Sequence, residues 1–216
     1  MLVPKLIRGE PVILPIDTPW VIDVLDERFD DAISMLDSYC IIYGGAVRDA
    51  LADIKIEGDL DILVPEWGIG AIYNNFSTSA RWTECAKKNS GDANSSIGNL
   101  ISKVYTFVNA NNVEVQLISP LHLNSATLKD YPLDVDCISV VKAVDIRCCG
   151  VSMDTNGKVF EVVEGAFDDC QKKVLTLNIK GPITKTKLNH LSSRIKKFET
   201  RGWKNNININ KITVKG

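Results

Sequence analysis

The sequence predicts an α+β fold, a mixed and mostly antiparallel sheet flanked by helices. Three observations carry that expectation. Helix-period and strand-period apolar patterns alternate along the chain. Residues 104–108 (VYTFV) and 113–118 (VEVQLI) flank Asn109-Ala110-Asn111-Asn112, a composition that closes antiparallel hairpins. Finally, 216 residues that are 45% hydrophobic and 24% charged are the material of one globular domain with a real core.

The elements follow in order. Residues 1–20, punctuated by Pro4, Pro11, Pro15 and Pro19, read as an irregular arm, and the same prolines break any signal-like core. Residues 21–38 place Val21, Val24, Leu25, Phe29, Ile33 and Leu36 at helical intervals, which predicts one amphipathic helix. Cys40 to Tyr43 is a short apolar strand, Gly44-Gly45 a turn, and residues 46–53 a short helix. Residues 59–64 (DLDILV) alternate as a strand, and 66–99 combine a helix with a polar loop around 89–99. Beyond the hairpin, 133–141 (LDVDCISVV), 144–153 and 158–163 read as strands, the last two joined by a turn at Asp154-Thr155-Asn156-Gly157. Residues 164–177 and 184–201 read as helices, with Gly202 terminating the second. The organisation is an arm (1–20), a body (21–171) and a basic helical extension packed on it (172–216).

The net charge of −2 conceals an uneven distribution. Residues 172–216 hold twelve Lys or Arg and one acid, Glu199, a sum of +11, against −13 over residues 1–171. An acidic body with a basic end suits a protein that handles both cations and polyanions, and equally a solvated basic helix. Six cysteines without C-x-x-C spacing read as buried reduced thiols. No run approaches the roughly 18 apolar residues that span a bilayer, so the chain reads as soluble, cytoplasmic and free of the membrane.

Residues 43–62 concentrate the chemistry. On a strand, Asp59 and Asp61 face one way while Leu60, Ile62 and Val64 face the core. The two carboxylates then stand about 6–7 Å apart along the strand. Such anions repel unless a cation lies between them, and a hard divalent ion with oxygen ligands, magnesium above all, is the usual remedy. Gly44-Gly45 places permissive backbone before a helix N-terminus that favours phosphate, and Arg48, one turn in, supplies a bidentate donor. Neither a lone D-x-D nor a lone Gly-Gly is specific, but in this order within twenty residues they make a phosphate cradle followed by a metal cradle.

Gly44-Gly45-Ala46-Val47-Arg48-Asp49, then Leu51, then Asp59-Leu60-Asp61, resembles the G-G-x-V-R-D … D-x-D signature of the class II tRNA nucleotidyltransferase and poly(A) polymerase head domain, within the DNA polymerase β superfamily. The chain departs from it in Asp53, where that family has glycine, and in about one extra residue before Asp59. The resemblance implies a polymerase β-like nucleotidyltransferase fold, nucleotide binding by Gly44, Gly45 and Arg48, and metal binding by Asp59 and Asp61. Asp49 either orients Arg48 or serves the helix. The superfamily supplies a third carboxylate from a neighbouring strand, and Glu114 is the candidate, because Val113, Val115 and Leu117 would face the core. Lys129, Asp130 and Tyr131 stand where the family's R-R-D-F-T-I-N-A segment has Arg, Asp and Phe, while Pro132 and Asp134 depart from it. Residues 194–203 are similar to the basic helix that closes such heads. There Arg194, Lys197 and Arg201 adjoin an apolar stripe of Leu188, Leu191, Ile195 and Phe198, and offer contact to a triphosphate or an RNA backbone. His122 and His190 have no catalytic context.

The implied reaction is attack of an acceptor hydroxyl on the α-phosphate of a nucleoside triphosphate, with pyrophosphate released and magnesium, or alternatively manganese, held by Asp59, Asp61 and Glu114. The implied acceptor is an RNA or tRNA 3′ end; nucleotidylation of a protein or small molecule is the alternative. The sequence is also similar to stand-alone nucleotidyltransferase-like proteins of large bacteriophages and other DNA viruses. Two other classes stay open: a degenerate head that binds nucleotide or RNA without turnover, and a structural partner docking its basic end on an acidic surface. Oligomeric state is not legible.

Overall fold

The computed structural model of the protein describes residues 14–85, 98–121, 134–179 and 181–215. Its strands are β1 (Leu14–Ile16), β2 (Ile41–Tyr43), β3 (Leu60–Leu63), β4 (Trp82–Cys85), β5 (Ile101–Asn109), β6 (Glu114–Pro120), β7 (Val151–Asp154) and β8 (Val159–Glu161). Among the described residues these form one eight-stranded sheet in the order β1-β8-β7-β2-β3-β6-β5-β4. Every neighbouring pair is antiparallel except β3 with β6. Among the described residues six helices flank it: α1 (Trp20–Phe29), α2 (Gly45–Leu51), α3 (Ile69–Thr78), α4 (Val135–Lys142), α5 (Ala166–Lys172) and α6 (Lys185–Thr200). A separate parallel pair joins β9 (Val174–Leu175) to β10 (Lys204–Asn205). The class is α+β with a mixed, mostly antiparallel sheet.

Strand alternation divides the core in two. Leu60 and Ile62 of β3, with Val115 and Leu117 of β6, pack against apolar residues of α1, α2, α3, α5 and α6. On the opposite face Ile41, Tyr43, Leu63 and Ile118 meet Cys137, Ile138, Val140 and Val141 of α4. Leu191, Ile195 and Phe198 of α6 belong to the larger cluster, so the basic helix is anchored by its apolar stripe. Thr184 caps α6 by accepting from Lys187 N, and Gly202 beyond its end takes φ +85°. The β5–β6 turn is closed by Asn109, whose side-chain oxygen accepts from the amides of Asn111 and Val113. All six cysteines are free, and all but Cys85 are buried. Among the described residues no helix is long and apolar enough to cross a membrane.

Several elements differ from the sequence expectation. The helix expected over 21–38 stops at Phe29, because Asp30 adopts φ +57°. Tertiary partners hold that exit: Arg81 pairs with Asp30 and Asp31, and the Trp82 indole donates to Asp31 at 2.9 Å. Residues 133–141, expected as a strand, contain α4. The Asp134 carboxylate accepts from the amides of Asp136 and Cys137, a side-chain N-cap that nucleates helix in a short apolar run compatible with either period. Part of the expected irregular arm is β1, an edge strand paired with β8. β4 lies within the segment read only as helix and loop, and most of the loop expected at 89–99 lies outside the described residues. The helix expected over 164–177 is shorter, ending where Lys173 turns to φ +51° and the chain enters β9.

Candidate active site

Register builds the floor of the site. Ser152, Tyr43, Asp61 and Gln116 are paired across β7, β2, β3 and β6, so their side chains share one face of the sheet. Asp59 stands two residues before Asp61 and joins that face. The Gln116 amide nitrogen donates to Asp59 at 2.5 Å and to Glu114 at 3.0 Å. One amide therefore ties together two of the three carboxylates singled out in the sequence.

Where β2 ends, Gly44 takes φ +74° and ψ −128°, a conformation that side chains of L residues resist. A Cβ at Gly44 would lie 3.3 Å from Asp61 Oδ2, so the turn is pressed directly onto the second aspartate. Gly44→Ala should cost about 1–2 kcal/mol in backbone strain. In a chain of this size that lowers the melting midpoint by roughly 3–6 °C, readable by thermal denaturation. An unchanged midpoint would remove the requirement for glycine.

The opposite wall comes from α2 and α6. Asp49 is 1% exposed and binds two arginines. Its Oδ1 accepts from Arg48 at 2.6 and 2.7 Å, and its Oδ2 accepts from Arg201 at 2.7 Å. Arg201 also donates to the Lys55 carbonyl at 2.9 Å, and the Arg48 guanidinium lies 4.4 Å from the centre of the Phe198 ring. Arg48 and Asp49 thus clamp α6 onto α2. Arg194 pairs with Asp145 and donates to the Cys149 sulfur at 3.7 Å, while Arg48 reaches the same sulfur at 3.5 Å. Lys197 lines the site one helical turn beyond Arg194, with no ion-pair partner among the described residues.

These walls enclose a cavity of about 330 Å³. It brings together Gly44, Gly45, Arg48, Asp49, Asp59 and Asp61 from the β2–α2–β3 segment, and Arg194, Lys197 and Arg201 from α6. Glu114 does not line it; it lies next to Asp59 through Gln116. Lys129 and Asp130, the remaining nucleotide-site candidates, lie outside the described residues, as does His122. Gln116, Asp145, Tyr43 and Cys149 went unflagged in the sequence. Alternation from Glu114 places Gln116 on the site face, but nothing local marks Asp145 or Cys149.

The electrostatics are tense. Burial, and then the neighbouring Asp59, push the Asp61 carboxyl well above its ordinary range, and Arg48 and Arg194 offset this only in part. Burial likewise raises the Tyr43 hydroxyl, with Asp61 and Asp59 adding to it. Cys149 moves the other way, to about 6: the Cys148 thiol donates to it, and Arg48 and Arg194 face it, against the cost of burial. Two hard carboxylates side by side on one cavity face are a donor set that could hold a divalent cation of the magnesium type. Among the described residues no group of three His, Cys, Asp or Glu is arranged to hold an ion.

No family model matches the sequence, and no curated protein does. Solved structures do. The apo form I of a CCA-adding enzyme superposes with a TM-score of 0.61 at 13% identity, over 92% of this chain and 44% of that one. A CCA-adding enzyme complex with CTP gives 0.60 at 13% identity, over 92% and 44%. The Thermotoga maritima CCA-adding enzyme complexed with tRNA gives 0.56 at 13% identity, over 94% and 45%. The chain has a nucleotidyltransferase-like fold and spans less than half the length of these enzymes.

Proposed function

We propose that the protein is a metal-dependent nucleotidyltransferase, which moves a nucleoside monophosphate from a nucleoside triphosphate to an acceptor hydroxyl at an RNA 3′ end. The observation that carries this reading is the single cavity in which the Gly44 turn, Asp59, Asp61 and the cations of α6 converge. The fold shared with enzymes solved with CTP and with tRNA agrees with it.

The roles follow from the geometry. The Gly44-Gly45 turn carries no side chain to keep a polyphosphate off the backbone. Asp59 and Asp61 would hold magnesium or manganese, whose bound form supplies charge neutralisation on the phosphates and activation of the incoming hydroxyl. Gln116 fixes the Asp59 carboxylate, and through it Glu114, in orientation. Arg48 and Arg201 serve chiefly to hold the cavity's shape, because Asp49 occupies both. Lys197 is the cation best placed to meet triphosphate charge. In the reaction the acceptor oxygen bonds to the α-phosphorus, the bond to the bridging oxygen breaks, and pyrophosphate leaves.

Lys197→Ala should raise KM for the triphosphate about tenfold, the worth of one charge-assisted hydrogen bond, with kcat little changed. Steady-state kinetics check this; an unaltered KM would move triphosphate recognition to other groups. The reading as a whole is tested by incubating the full chain with each labelled triphosphate, Mg²⁺ or Mn²⁺, and total RNA. Label in RNA supports it, and label in protein redirects it to protein nucleotidylation. Binding without incorporation selects the second reading, a nucleotide-binding protein without turnover. One observation favours that alternative: Arg48, Arg194 and Arg201 are all committed to aspartate partners.

A further inference from the structure

We propose that a second groove, next to the cavity, is a track for the phosphate backbone of single-stranded RNA and leads its 3′ end towards Asp59 and Asp61. The groove has a volume of about 690 Å³ and lies where the end of α4, Arg147 and the first turns of α6 meet. It adjoins the cavity along Val144, which lines both. Asn178 pins that shared wall: its side-chain amide donates to the carbonyls of Lys142 at 3.0 Å and Val144 at 2.8 Å.

Charge points to the occupant. Lys142 and Lys187 line the groove from α4 and α6, both half-buried, and neither has an ion-pair partner among the described residues. Burial draws the Lys142 ammonium below its ordinary value, with no neighbouring carboxylate among the described residues to offset it. A cation held in this way gains most from an anion that arrives with a ligand. Arg147, by contrast, is committed to Asp169 at 2.6 and 2.8 Å. Glu164 is the acid in the lining, and it is exposed.

Helix α6 carries the cations from the groove into the cavity. Lys187, Arg194 and Lys197 fall at i, i+7 and i+10, on one face of the helix, with Lys187 in the groove and the other two in the cavity. At a rise of ~1.5 Å per residue, Lys187 and Lys197 stand roughly 15 Å apart along the axis. A row of that length matches a polymer whose charges repeat along its backbone. Val144, Val162 and Leu177 add apolar surface that suits the faces of bases and reads no sequence. The choice of RNA over other polyanions rests on the proposed transfer to an RNA 3′ end.

The test is fluorescence anisotropy of a labelled single-stranded RNA with the full chain, without nucleotide, over a range of salt. Lys142→Gln combined with Lys187→Gln removes two phosphate contacts, so the slope of log affinity against log salt should shrink by about 1.4, at about 0.7 per contact on a single strand. At 0.1 M salt this is a loss of roughly tenfold or more in affinity. Lys204→Gln, a matched charge loss on the exposed β10 and outside both pockets, should leave the slope nearly unchanged. Glu164→Gln should tighten binding about twofold by removing the opposing charge. An unchanged slope in the double variant, an equal fall in Lys204→Gln, or no RNA binding by the wild-type chain overturns the proposal. An equal loss for a labelled polyglutamate peptide overturns it too, and assigns the groove to an acidic protein. The transfer reading fails separately. RNA binding indifferent to both lysines, with label still entering RNA, removes the track alone; binding that depends on them, with no label entering RNA, removes transfer alone.

Discussion

Asp61→Asn should abolish nucleotidyl transfer, with turnover down by about a thousandfold or more, and at the same time make the metal-free protein more stable. The loss of activity follows from removing one of two carboxylates available to the cation in the cavity. The gain in stability follows from what burial and Asp59 do to the Asp61 carboxyl, which they hold well above its ordinary range. The sign is fixed by linkage. The folded chain binds this proton more tightly than the unfolded chain, whose Asp titrates near ~4. The stabilisation is therefore complete in acid and drains away as pH climbs from ~4 through the raised value. At pH 7 the wild-type chain without an ion bears the cost of that perturbed carboxyl, and Asn does not. The midpoint should rise by roughly 2–4 °C at pH 7, the equivalent of about 1 kcal/mol in a domain of this size. The difference should vanish near pH 4, where Asp61 is protonated in wild type as well. Mg²⁺ should raise the wild-type midpoint at pH 7 and leave Asp61→Asn unmoved. A metal-free variant less stable than wild type at pH 7 would show that attraction to Arg48 and Arg194 outweighs repulsion from Asp59.

The segment from Tyr43 to Asp61 was legible because its chemistry is local. A glycine turn, a short helix and an alternating strand are each set by neighbours within a few residues. α6 was legible for the same reason, with Thr184 as cap, Gly202 as terminator and an apolar stripe between them. α4 was not, because contiguous Cys137, Ile138, Val140 and Val141 satisfy either period, and the Asp134 cap decides the matter with two hydrogen bonds. The end of α1 was hidden because Asp30 and Asp31 are held by Arg81 and Trp82, far along the chain. The remaining site residues were invisible on the same ground. Gln116 reaches Asp59 across 57 positions, and Cys149 meets Arg48 across 101. Such partnerships exist only once the strand order is known. Arg48 shows the converse: its place in the motif was plain, while the partners that absorb its donors, Asp49 and Cys149, emerged only from packing.

Asp49→Ala should be the most destabilising single change at this site, costing about 3–5 kcal/mol. The carboxylate is 1% exposed and neutralises two arginines at once. Removing it strips Arg48, itself 6% exposed, of its carboxylate hydrogen-bond partner and leaves it with the Cys149 sulfur, the Phe198 and Trp203 rings, and the more distant Asp61. Arg201 fares better, since the Lys55 carbonyl at 2.9 Å and Glu57 at 3.8 Å stay within reach. Most of the cost is therefore the uncompensated charge of Arg48, which gives the prediction an internal control. Arg48→Met added to Asp49→Ala should recover part of the lost stability, because the apolar stem keeps its packing and the orphaned charge is gone. By thermal denaturation the single variant should fall by about 10 °C and the double variant by clearly less. Equal losses would mean that Asp49 matters through packing alone. The same comparison reaches function: if the clamp between α2 and α6 shapes the cavity, the double variant regains stability without regaining wild-type affinity for triphosphate, since neither substitution restores the contact of Arg201 with Asp49.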